Sequence, residues 1–461
     1  MRSRRLESLF GAPLAGITAA HILGLVDAQV GESFDLDFKQ SLYPQPDNKR
    51  DLAGDVAAMA NTAGGVIVLG VADVQGRAVA AEGVALSDGE VRRMHQLIAS
   101  GVAPMPLFDI LTVKISEDVG FYVIAVPRSP NAPHAVLLDQ KLRYPKRNGS
   151  TTRYLSEPEV SAAYRDRFQR GAAQGLRIEQ VQSEARQRLA VNDFVWLTVS
   201  LVPDLPGDLE VDQAVFDRFQ GETLGRSAWD IPGLVHTTFN RAQVGLRMLT
   251  ADGGHETPAR WASAVFYSDG AASYSLVLAS SVKLVTIGGQ DEYETFGGEA
   301  LAVGTMTALR RAAQHARDRA GAGGNALIRA KIVGRPDRPL ALGQHPNGFM
   351  EPLGQQVQPP IPTAETVAQL DDLADPGPSL IAAASRLVNQ VGQCFGVPEM
   401  RYLDREGRVR LRYWSSRTAP NWRSGRMTTM LRSAMNGWEV HLTDAPGLSG
   451  HVWVANRIQL C

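Results

Sequence analysis

The stretch from Glu32 to Asp73 constrains the fold of this chain more than any other part of the sequence. Leu36 and Phe38 alternate with polar neighbours, a period of two that predicts a half-buried strand. Apolar residues at helical spacing follow between positions 52 and 60 and predict an amphipathic helix. Residues 66–71 then form a continuous apolar run, which is typical of a strand that is covered on both faces. The stretch therefore predicts a strand, a helix and a second strand in succession.

Gly64 and Gly65 separate the predicted helix from the second strand. A glycine pair at this place is typical of a helix end, because glycine enters a left-handed turn without the penalty of a carbon-β. A phosphate-binding loop is the other interpretation, but the chain contains no G-x-x-x-x-G-K-[ST] motif, and these glycines precede a strand rather than a helix. The sequence therefore gives little support for ATP hydrolysis.

Four motifs of the stretch occur together in a known family. They are Glu32-Ser33, Asp37-Phe38-Lys39, the Ala-Asn-Thr-Ala-Gly-Gly sequence of residues 60–65, and the Gly-Val-Ala-Asp sequence of residues 70–73. A weaker match follows at residues 143–152. In this combination the segment resembles the Alba-like nucleic-acid-binding domain of Schlafen proteins. The resemblance covers about residues 13–172, and the rest of the chain resembles no family.

The resemblance implies a role for three carboxylates. In the nuclease members of the Schlafen family an acidic triad carries RNA cleavage, and its members map to Glu32, Asp37 and Asp73. Oxygen ligands of this kind suit Mg²⁺ or Mn²⁺, which can activate water against a phosphodiester. The family usually has Glu where this chain has Asp37, which is one methylene shorter. The alternative is that these acids are solvated residues of strand ends and turns, where Asp is common.

Lys39 continues the same strand and shares a side with Asp37, since alternate residues of a strand face the same way. Two roles remain open for this residue. It either holds a scissile phosphate beside the three acids, as a fourth catalytic residue, or pairs with one of the acids.

A basic segment lies between residues 140 and 156 and contains no acid. Tyr144 and Tyr154 lie among its basic residues, a composition that suits backbone phosphates with occasional base stacking. A solvated hairpin face is the alternative. The predicted nucleic-acid-binding residues are Lys141, Arg143, Lys146, Arg147 and Arg153.

A second basic surface is predicted near the carboxyl end. Arg408, Arg410 and Arg412 alternate with apolar residues, so that one face of a strand would carry only guanidinium groups. Residues 401–432 contain nine arginines and two acids. Such a face suits either nucleic acid or an acidic surface, such as the one that residues 365–375 of this chain would form.

The bulk properties limit the function classes. With 461 residues the chain exceeds one ordinary core, and its net charge of −1 requires any nucleic-acid site to be local. Cys394 and Cys461 are too few for a disulfide framework or a cysteine-rich zinc site. The sequence has no apolar run of membrane-spanning length and no signal peptide, which predicts a cytoplasmic protein without a membrane partner.

Together these patterns predict an α+β, multidomain protein. Residues 1–172 would form the Alba-like domain with a mixed sheet, and residues 176–350 a second α+β domain of unknown role. The Pro- and Gln-rich residues 352–363 predict a linker to a small α+β unit at residues 364–461.

Two functional hypotheses follow from this organisation. The first is a divalent-metal-dependent endonuclease that acts on structured or tRNA-like RNA, with RNA favoured over DNA. The second is a non-catalytic DNA- or RNA-binding regulator whose later domains sense a signal or form a homo-oligomer.

Overall fold

The computed structural model describes most of the chain up to Trp414. The described residues are 4–12, 14–43, 49–138, 141–229, 238–254, 260–280, 283–284, 293–344, 351–410 and 413–414. Residue 412, which is one of the three alternating arginines, lies outside them, as do residues 415–461.

Helices and strands both occur along the whole described chain. The helices are α1 (Arg4–Phe10), α2 (Ala19–Asp27), α3 (Lys49–Ala60), α4 (Asp88–Gly101), α5 (Glu157–Gln187), α6 (Gln213–Thr223), α7 (Gly298–Gln314), α8 (Leu370–Ala374) and α9 (Pro378–Cys394), with a 3-10 turn at Leu14–Gly16 and a π-helical turn at His315–Arg319.

The strands of the amino-terminal part are β1 (Leu36–Lys39), β2 (Gly64–Leu69), β3 (Ala72–Val74), β4 (Arg77–Ala80), β5 (Val84–Ala85), β6 (Val102–Ala103), β7 (Asp109–Lys114), β8 (Val119–Pro127), β9 (Ala135–Leu138), β10 (Lys141–Arg143), β11 (Pro145–Asn148) and β12 (Thr151–Tyr154). The later strands are β13 (Phe194–Leu205), β14 (Phe239–Gly245), β15 (Met248–Gly254), β16 (Arg260–Tyr267), β17 (Ala272–Ser280), β18 (Lys283–Leu284), β19 (Tyr293–Gly297), β20 (Gly323–Val333), β21 (Leu340–Gln344), β22 (Glu351–Pro352) and β23 (Ala364–Gln369). The predicted α+β class is confirmed.

The amino-terminal sheet is mixed. Its order is β1-β2-β8-β5, and β7 also pairs with β8. Strands β1 and β2 are parallel, with Asp37 opposite Ile67, whereas β8 is antiparallel to its partners. Because parallel neighbours need a crossover, α3 lies between them in the chain and packs over the sheet.

The two faces of this sheet are buried by different helices. Ile67 and Ile124 pack with residues of α3 and α4 on one face. Phe38, Val66 and Val68 pack with residues of α1 and α2 on the other. Every residue of β2 is buried, as its continuous apolar sequence predicts.

The glycine pair begins β2 rather than only ending α3. Gly64 has a φ of +78°, and a carbon-β on it would lie 2.5 Å from the backbone nitrogen of Arg128. A carbon-β on Gly65 would lie 2.7 Å from the carbonyl oxygen of Asp35. Both positions therefore need glycine, because the neighbouring backbones approach too closely for any side chain.

Helix α5 is continuous over 31 residues and spans the predicted domain boundary near residue 172. Its second half buries Ile178, Val181 and Ala185 against the following sheet. The predicted boundary between residues 172 and 176 thus falls inside one helix.

The second sheet has the order β14-β15-β16-β17-β13-β20-β23, and its pairings are antiparallel. Helix α7 covers one face, where Leu197 and Val199 of the central strand β13 are buried. Pro203 lies within β13, which continues to Leu205 through an irregularity in its register with β20. The same part of the chain also forms a smaller sheet with the order β18-β19-β21-β22.

The predicted separate unit at residues 364–461 does not have a core of its own within the described residues. Strand β23 is the seventh strand of the second sheet and pairs with β20. Helix α9 packs on α7, and Leu387 and Val391 belong to the same hydrophobic cluster as Leu197. Among the described residues, 352–363 therefore join two parts of one core, whereas the sequence predicts a separate unit from residue 364.

Two local features concern the predicted basic surfaces. Strands β9 and β10 pair in antiparallel fashion, with Leu142 opposite Leu137. Near the carboxyl end, Val409 makes only an isolated bridge to Leu403, so Arg408 and Arg410 do not lie on a regular strand. Among the residues described, no helix has the length and apolar character needed to cross a bilayer.

The shared core gives a prediction for truncation. A chain that ends at Pro362 should lose the cooperative unfolding transition of the second sheet. It would lack several fully buried apolar side chains of α8 and α9, each worth about 1.5–3 kcal/mol, against a total stability of about 5–15 kcal/mol. Urea unfolding with the intact chain as reference measures this.

A point substitution tests the same feature without truncation. Leu387→Ala should destabilise the second sheet by about 2–5 kcal/mol, because the side chain is fully buried. Arg405→Ala, which changes an exposed side chain, is the control. If the truncated chain keeps the full unfolding transition, residues 364–461 form a separate folding unit after all.

Candidate nucleic-acid interface

Asp37 lies at the centre of the charged groups on β1. Its Oδ1 accepts a hydrogen bond of 3.0 Å from Nη1 of Arg147, and its Oδ2 contacts Nζ of Lys39. The side chains of Asp37 and Arg147 are each only 3% exposed. Both oxygens of this carboxylate are therefore already engaged by cations in a poorly solvated place.

Lys39 also connects Asp37 to α3. Its Nζ lies 3.8 Å from Oδ2 of Asp55, which in turn accepts a hydrogen bond of 2.8 Å from the Tyr43 hydroxyl. Burial of Lys39 opposes its charge, but the carboxylates of Asp55 and Asp37 outweigh it and raise the pKa of Lys39. Lys39 thus carries its charge at neutral pH and is paired with acids in this structure, which is one of the two roles its position predicts.

Two hydrogen bonds hold Arg147 in addition to its pair with Asp37. Its Nη2 donates to the carbonyl of Ser33 at 3.0 Å, and its backbone N–H donates to Oγ1 of Thr62 at 2.9 Å. The Thr62 hydroxyl donates in turn to the carbonyl of Ala58 at 2.7 Å. The end of α3 therefore anchors the strand on which Arg147 lies.

Asn61 completes this anchor. Its Nδ2 donates to the carbonyls of His134 and Pro145, each at 2.8 Å, and its Oδ1 accepts from the His134 backbone N–H at 2.7 Å. The Asn-Thr pair of the motif at residues 60–65 consequently attaches the β11–β12 hairpin to the sheet. The motif has a structural role, which explains why it occurs together with the distant segment around Arg147.

Glu32 and Asp73 lie at the neighbouring turn. Oε1 of Glu32 accepts from the Phe38 backbone N–H at 2.9 Å, and Oδ2 of Asp73 accepts from the Gly76 backbone N–H at 3.0 Å. Burial raises the pKa of Glu32, and the charges of Asp37 and Asp73 raise it further. Asp37 and Asp73 thus both lie within electrostatic range of Glu32.

This arrangement does not fit a divalent cation. Across the described residues, no group of three or more His, Cys, Asp or Glu side chains is placed to hold a metal ion. Asp37 would first have to release Lys39 or Arg147, and Glu32 and Asp73 each have one oxygen bound to a backbone N–H. The side chains as placed therefore offer Mg²⁺ or Mn²⁺ no ready set of ligands.

The basic residues of the hairpin divide into two groups. The side chain of Arg147 is only 3% exposed and pairs with Asp37, so its predicted role as a phosphate contact would require this pair to open. Lys146 lies opposite Arg153 in the β11–β12 register, and Arg153 makes an exposed ion pair with Glu159 of α5. The guanidinium of Arg143 lies 5.8 Å from the ring centroid of Tyr154. Lys141 and Arg143 are exposed and Lys146 is half-buried, so these cations and Arg153 form the surface of the hairpin region.

A row of aromatic rings borders these cations, and only its first member was singled out from the sequence. The rings of Tyr144 and Tyr164 are 6.2 Å apart, and the rings of Tyr164 and Phe168 are stacked at 6.3 Å. Phe168 is 73% exposed. The spacing of Tyr164 and Phe168, four residues apart on a predicted helix beside a basic segment, is the signal that would have revealed the row.

The predicted arginine face near the carboxyl end is paired with acids. Arg408 donates to Asp404 at 2.8 Å and to Glu406 at 3.2 Å, and Arg410 donates to Glu399 at 3.0 Å. These local pairs reduce the charge that Arg408 and Arg410 present to a ligand. Arg412 lies outside the described residues.

Residues 32–156 match the family model described as Schlafen, AlbA_2, so this segment is a Schlafen-type Alba-like domain, as its motifs predict. The family supports a nucleic-acid-related role for the segment. No curated protein matches the chain significantly.

Two solved structures are similar to part of the chain. The DIP2311 protein from Corynebacterium diphtheriae is 21% identical, with 35% of this chain and 29% of that chain covered and a TM-score of 0.24. The other is titled as the N-terminal domain of a "Putative ATP-dependent DNA Helicase RecG-related Protein" from Nitrosomonas europaea. It is 18% identical, with 30% of this chain and 95% of that chain covered and a TM-score of 0.22. The match thus spans less than a third of the Corynebacterium protein, and at these TM-scores neither similarity bears on function.

The buried ion pair gives a prediction for stability. Arg147→Met should destabilise the amino-terminal domain by about 3–5 kcal/mol, because it leaves the buried carboxylate of Asp37 with Lys39 as its single cationic partner. Arg143→Met, at an exposed position two residues before β11, should change stability by less than about 0.5 kcal/mol. Urea unfolding of both variants measures the difference. Equal stabilities would mean that Asp37 does not depend on Arg147.

Proposed function

We propose that the Schlafen-type Alba-like domain at residues 32–156, together with the first turns of α5, binds a single strand of nucleic acid. The observation that carries the proposal is the aromatic row of Tyr144, Tyr164 and the exposed Phe168, next to the cations of the hairpin region. Aromatic rings stack on nucleobases of any sequence, and cations beside them follow the phosphate backbone. The resemblance to Schlafen proteins favours RNA over DNA.

The buried contacts support this proposal through the rigidity of the hairpin. Asn61, Thr62 and Asp37 fix the strand that carries Lys146, so that the cation needs little ordering when a phosphate arrives. Because Arg147 and Lys39 already balance the buried carboxylates, the exposed cations keep most of their charge for a ligand. Glu159 is the acid that pairs with Arg153 at this surface. The same interface would serve the regulatory role in which the domain recruits nucleic acid without cutting it.

Cleavage is the second candidate function, and one observation favours it. Asp37 and Asp73 act electrostatically on Glu32, so the three acids are close enough to attract a cation if Lys39 and Arg147 move away. Against it stands the poor fit of the present donor set to a metal. We therefore place binding first and metal-dependent cleavage of RNA second.

Binding should depend on salt and on stacking in separable ways. The double variant Arg143→Gln with Lys146→Gln should weaken binding of a single-stranded RNA and lower the log–log salt slope by roughly 0.7 for each lost phosphate contact. Phe168→Ala should weaken binding by about 1–3 kcal/mol without changing that slope. Fluorescence anisotropy over a range of salt concentrations measures both quantities.

Matched controls are available in the chain for both substitutions. Lys114→Gln changes an exposed cation of β7 in the same domain, and Leu246→Ala changes a side chain that is 92% exposed in the turn between β14 and β15. Neither should alter binding. If duplex RNA binds as well as the single strand and Phe168→Ala has no effect, the stacking row is not part of the interface.

The cleavage candidate predicts a different result. With Mn²⁺ present, the intact chain should cut structured RNA, and Asp73→Asn should abolish cutting while binding stays within about twofold, since phosphate binding rests on other residues. Asp118→Asn, which changes an exposed acid of another turn, is the control. Gel assays with Mn²⁺ or with chelator decide the matter. An absence of metal-dependent products from RNA and DNA alike would leave binding as the function.

A further inference from the structure

The second sheet carries a cavity of about 440 Å³ that none of the predicted functions uses. It lies between α6, the end of α7 and strands β14, β16 and β17. Its size falls in the range of small-molecule sites, which are about 300–1,000 Å³. Its lining combines apolar, aromatic and basic residues: Leu209, Val215, Arg218, Phe219, Phe239 and Phe266, among others.

The aromatic part of the lining is rigid and buried. Phe219 and Phe266 meet edge to face at 5.9 Å, and Phe239 and Tyr274 do the same at 5.9 Å. These four side chains are at most 5% exposed. They offer a flat ring an apolar wall that needs no rearrangement.

The basic part of the lining carries an excess of positive charge. Arg319 lies over the rings of Phe219 and Phe266, at 5.3 Å and 5.7 Å, and pairs with Glu222 at 2.7 Å. Asp318, the other acid of the lining, pairs with Arg317 outside the cavity at 2.7 Å.

Two further arginines of the lining bring charge without an acidic partner. Arg218 and Arg226 are exposed, and the described part of the chain gives neither of them an ion pair. The buried imidazole of His315, whose ring stands 4.9 Å from Phe266, adds no charge at neutral pH, because burial lowers the pKa of His315 to about 3. The cavity is thus set up for a ligand that is anionic at one end and aromatic at the other.

We propose that this cavity binds a mononucleotide, with the base against the aromatic wall and the phosphate on Arg218 and Arg226. Guanidinium groups bind phosphate through charge-assisted, bidentate hydrogen bonds, and Arg319 already stacks on the aromatic wall as it would on a base. The bound nucleotide is either a free mononucleotide or the 5′-phosphorylated nucleotide at the end of a strand. The site is separate from the hairpin of the amino-terminal domain.

Calorimetric titration of the full chain with AMP, GMP, CMP and UMP tests the proposal. At least one mononucleotide should bind with a Kd below about 1 mM. Adenosine or the matching nucleoside, which lacks the phosphate, and ribose 5-phosphate, which lacks the base, should each bind at least about tenfold more weakly. If none of the four mononucleotides binds in this range, the proposal is wrong.

Variants locate the binding. The double variant Arg218→Gln with Arg226→Gln should lower the affinity for the mononucleotide at least about tenfold. Both changes remove charge at exposed positions and leave the core intact. Arg241→Gln, an exposed cation of β14 outside the lining, should leave the affinity unchanged. The hairpin variant Arg143→Gln with Lys146→Gln should also leave it unchanged. Unchanged affinity in the cavity variant, or loss in the hairpin variant, would overturn the assignment to the cavity.

A competition experiment separates the two sources of the ligand. A trinucleotide with a 5′ phosphate displaces the mononucleotide if the cavity takes the end of a strand. If the cavity accepts only free mononucleotides, the same trinucleotide does not displace the bound mononucleotide. In both cases the double variant Arg218→Gln with Arg226→Gln must bind the mononucleotide more weakly than the unchanged chain does.

Discussion

The ion pair between Asp37 and Arg147 is the contact on which the amino-terminal domain depends. Removing two charges from water costs several kcal/mol for each ion, and their attraction repays this cost only in good geometry. Here the geometry is supplied by the backbone, because Arg147 also donates to the Ser33 carbonyl and its own N–H is held by Thr62. The pair connects residues 110 positions apart in the chain. It fixes the position of the hairpin relative to the sheet.

This arrangement attaches the proposed binding surface to the sheet through buried contacts. Asn61, Thr62 and the buried ion pair make those contacts, and the outer side carries Lys146, Arg143 and the aromatic row that ends at Phe168. If Arg147 were solvated instead, Asp37 would be an open carboxylate beside the ligand and would repel phosphate. In the proposed interface the buried arginine would therefore assist binding indirectly, by neutralising an acid.

The sequence predicts the architecture better than it predicts the roles of the charged residues. Period-two and continuous apolar patterns located β1 and β2, since burial of those strands depends on their own side chains. Charge alone could not distinguish Arg147 from Arg143, because the difference is made by Asp37, Asn61 and Thr62, which lie far away in the chain. The four-residue spacing of the Tyr164–Phe168 pair was visible, but its exposure was not.

The difference between the predicted boundary at residue 364 and the observed sheet has a similar cause. Strand β23 reads Ala-Glu-Thr-Val-Ala-Gln, with little apolar periodicity, and its place in the sheet comes from backbone pairing with β20. The preceding prolines are typical of a linker, and nothing local indicates that the chain returns to the same sheet. Pairing between distant strands is a property of the whole core, so a local pattern cannot reveal it. The same limit applies to the cavity, whose lining residues come from elements more than 100 positions apart.

Helix α5 is the element that joins the two parts of the molecule physically. At about 1.5 Å per residue its 31 residues extend over about 45 Å. Its first turns contact the hairpin through Glu159 and Tyr164, and Arg177 further along pairs with Asp269 and lies 4.5 Å from the ring of Tyr267.

From Tyr267 the contacts continue to the cavity. The carbonyl of Tyr267 is 2.8 Å from Nε2 of His315, whose ring packs against Phe266 in the cavity wall. A continuous series of packed groups therefore runs from the hairpin to the cavity. Contiguity is necessary for energetic coupling but not sufficient, because coupling also needs an element with two arrangements whose balance both ligands shift. A rigid helix transmits position, so the element that could change arrangement must lie at one of its ends. At the hairpin end, the exposed pair of Arg153 with Glu159 is the contact that a phosphate would compete for directly.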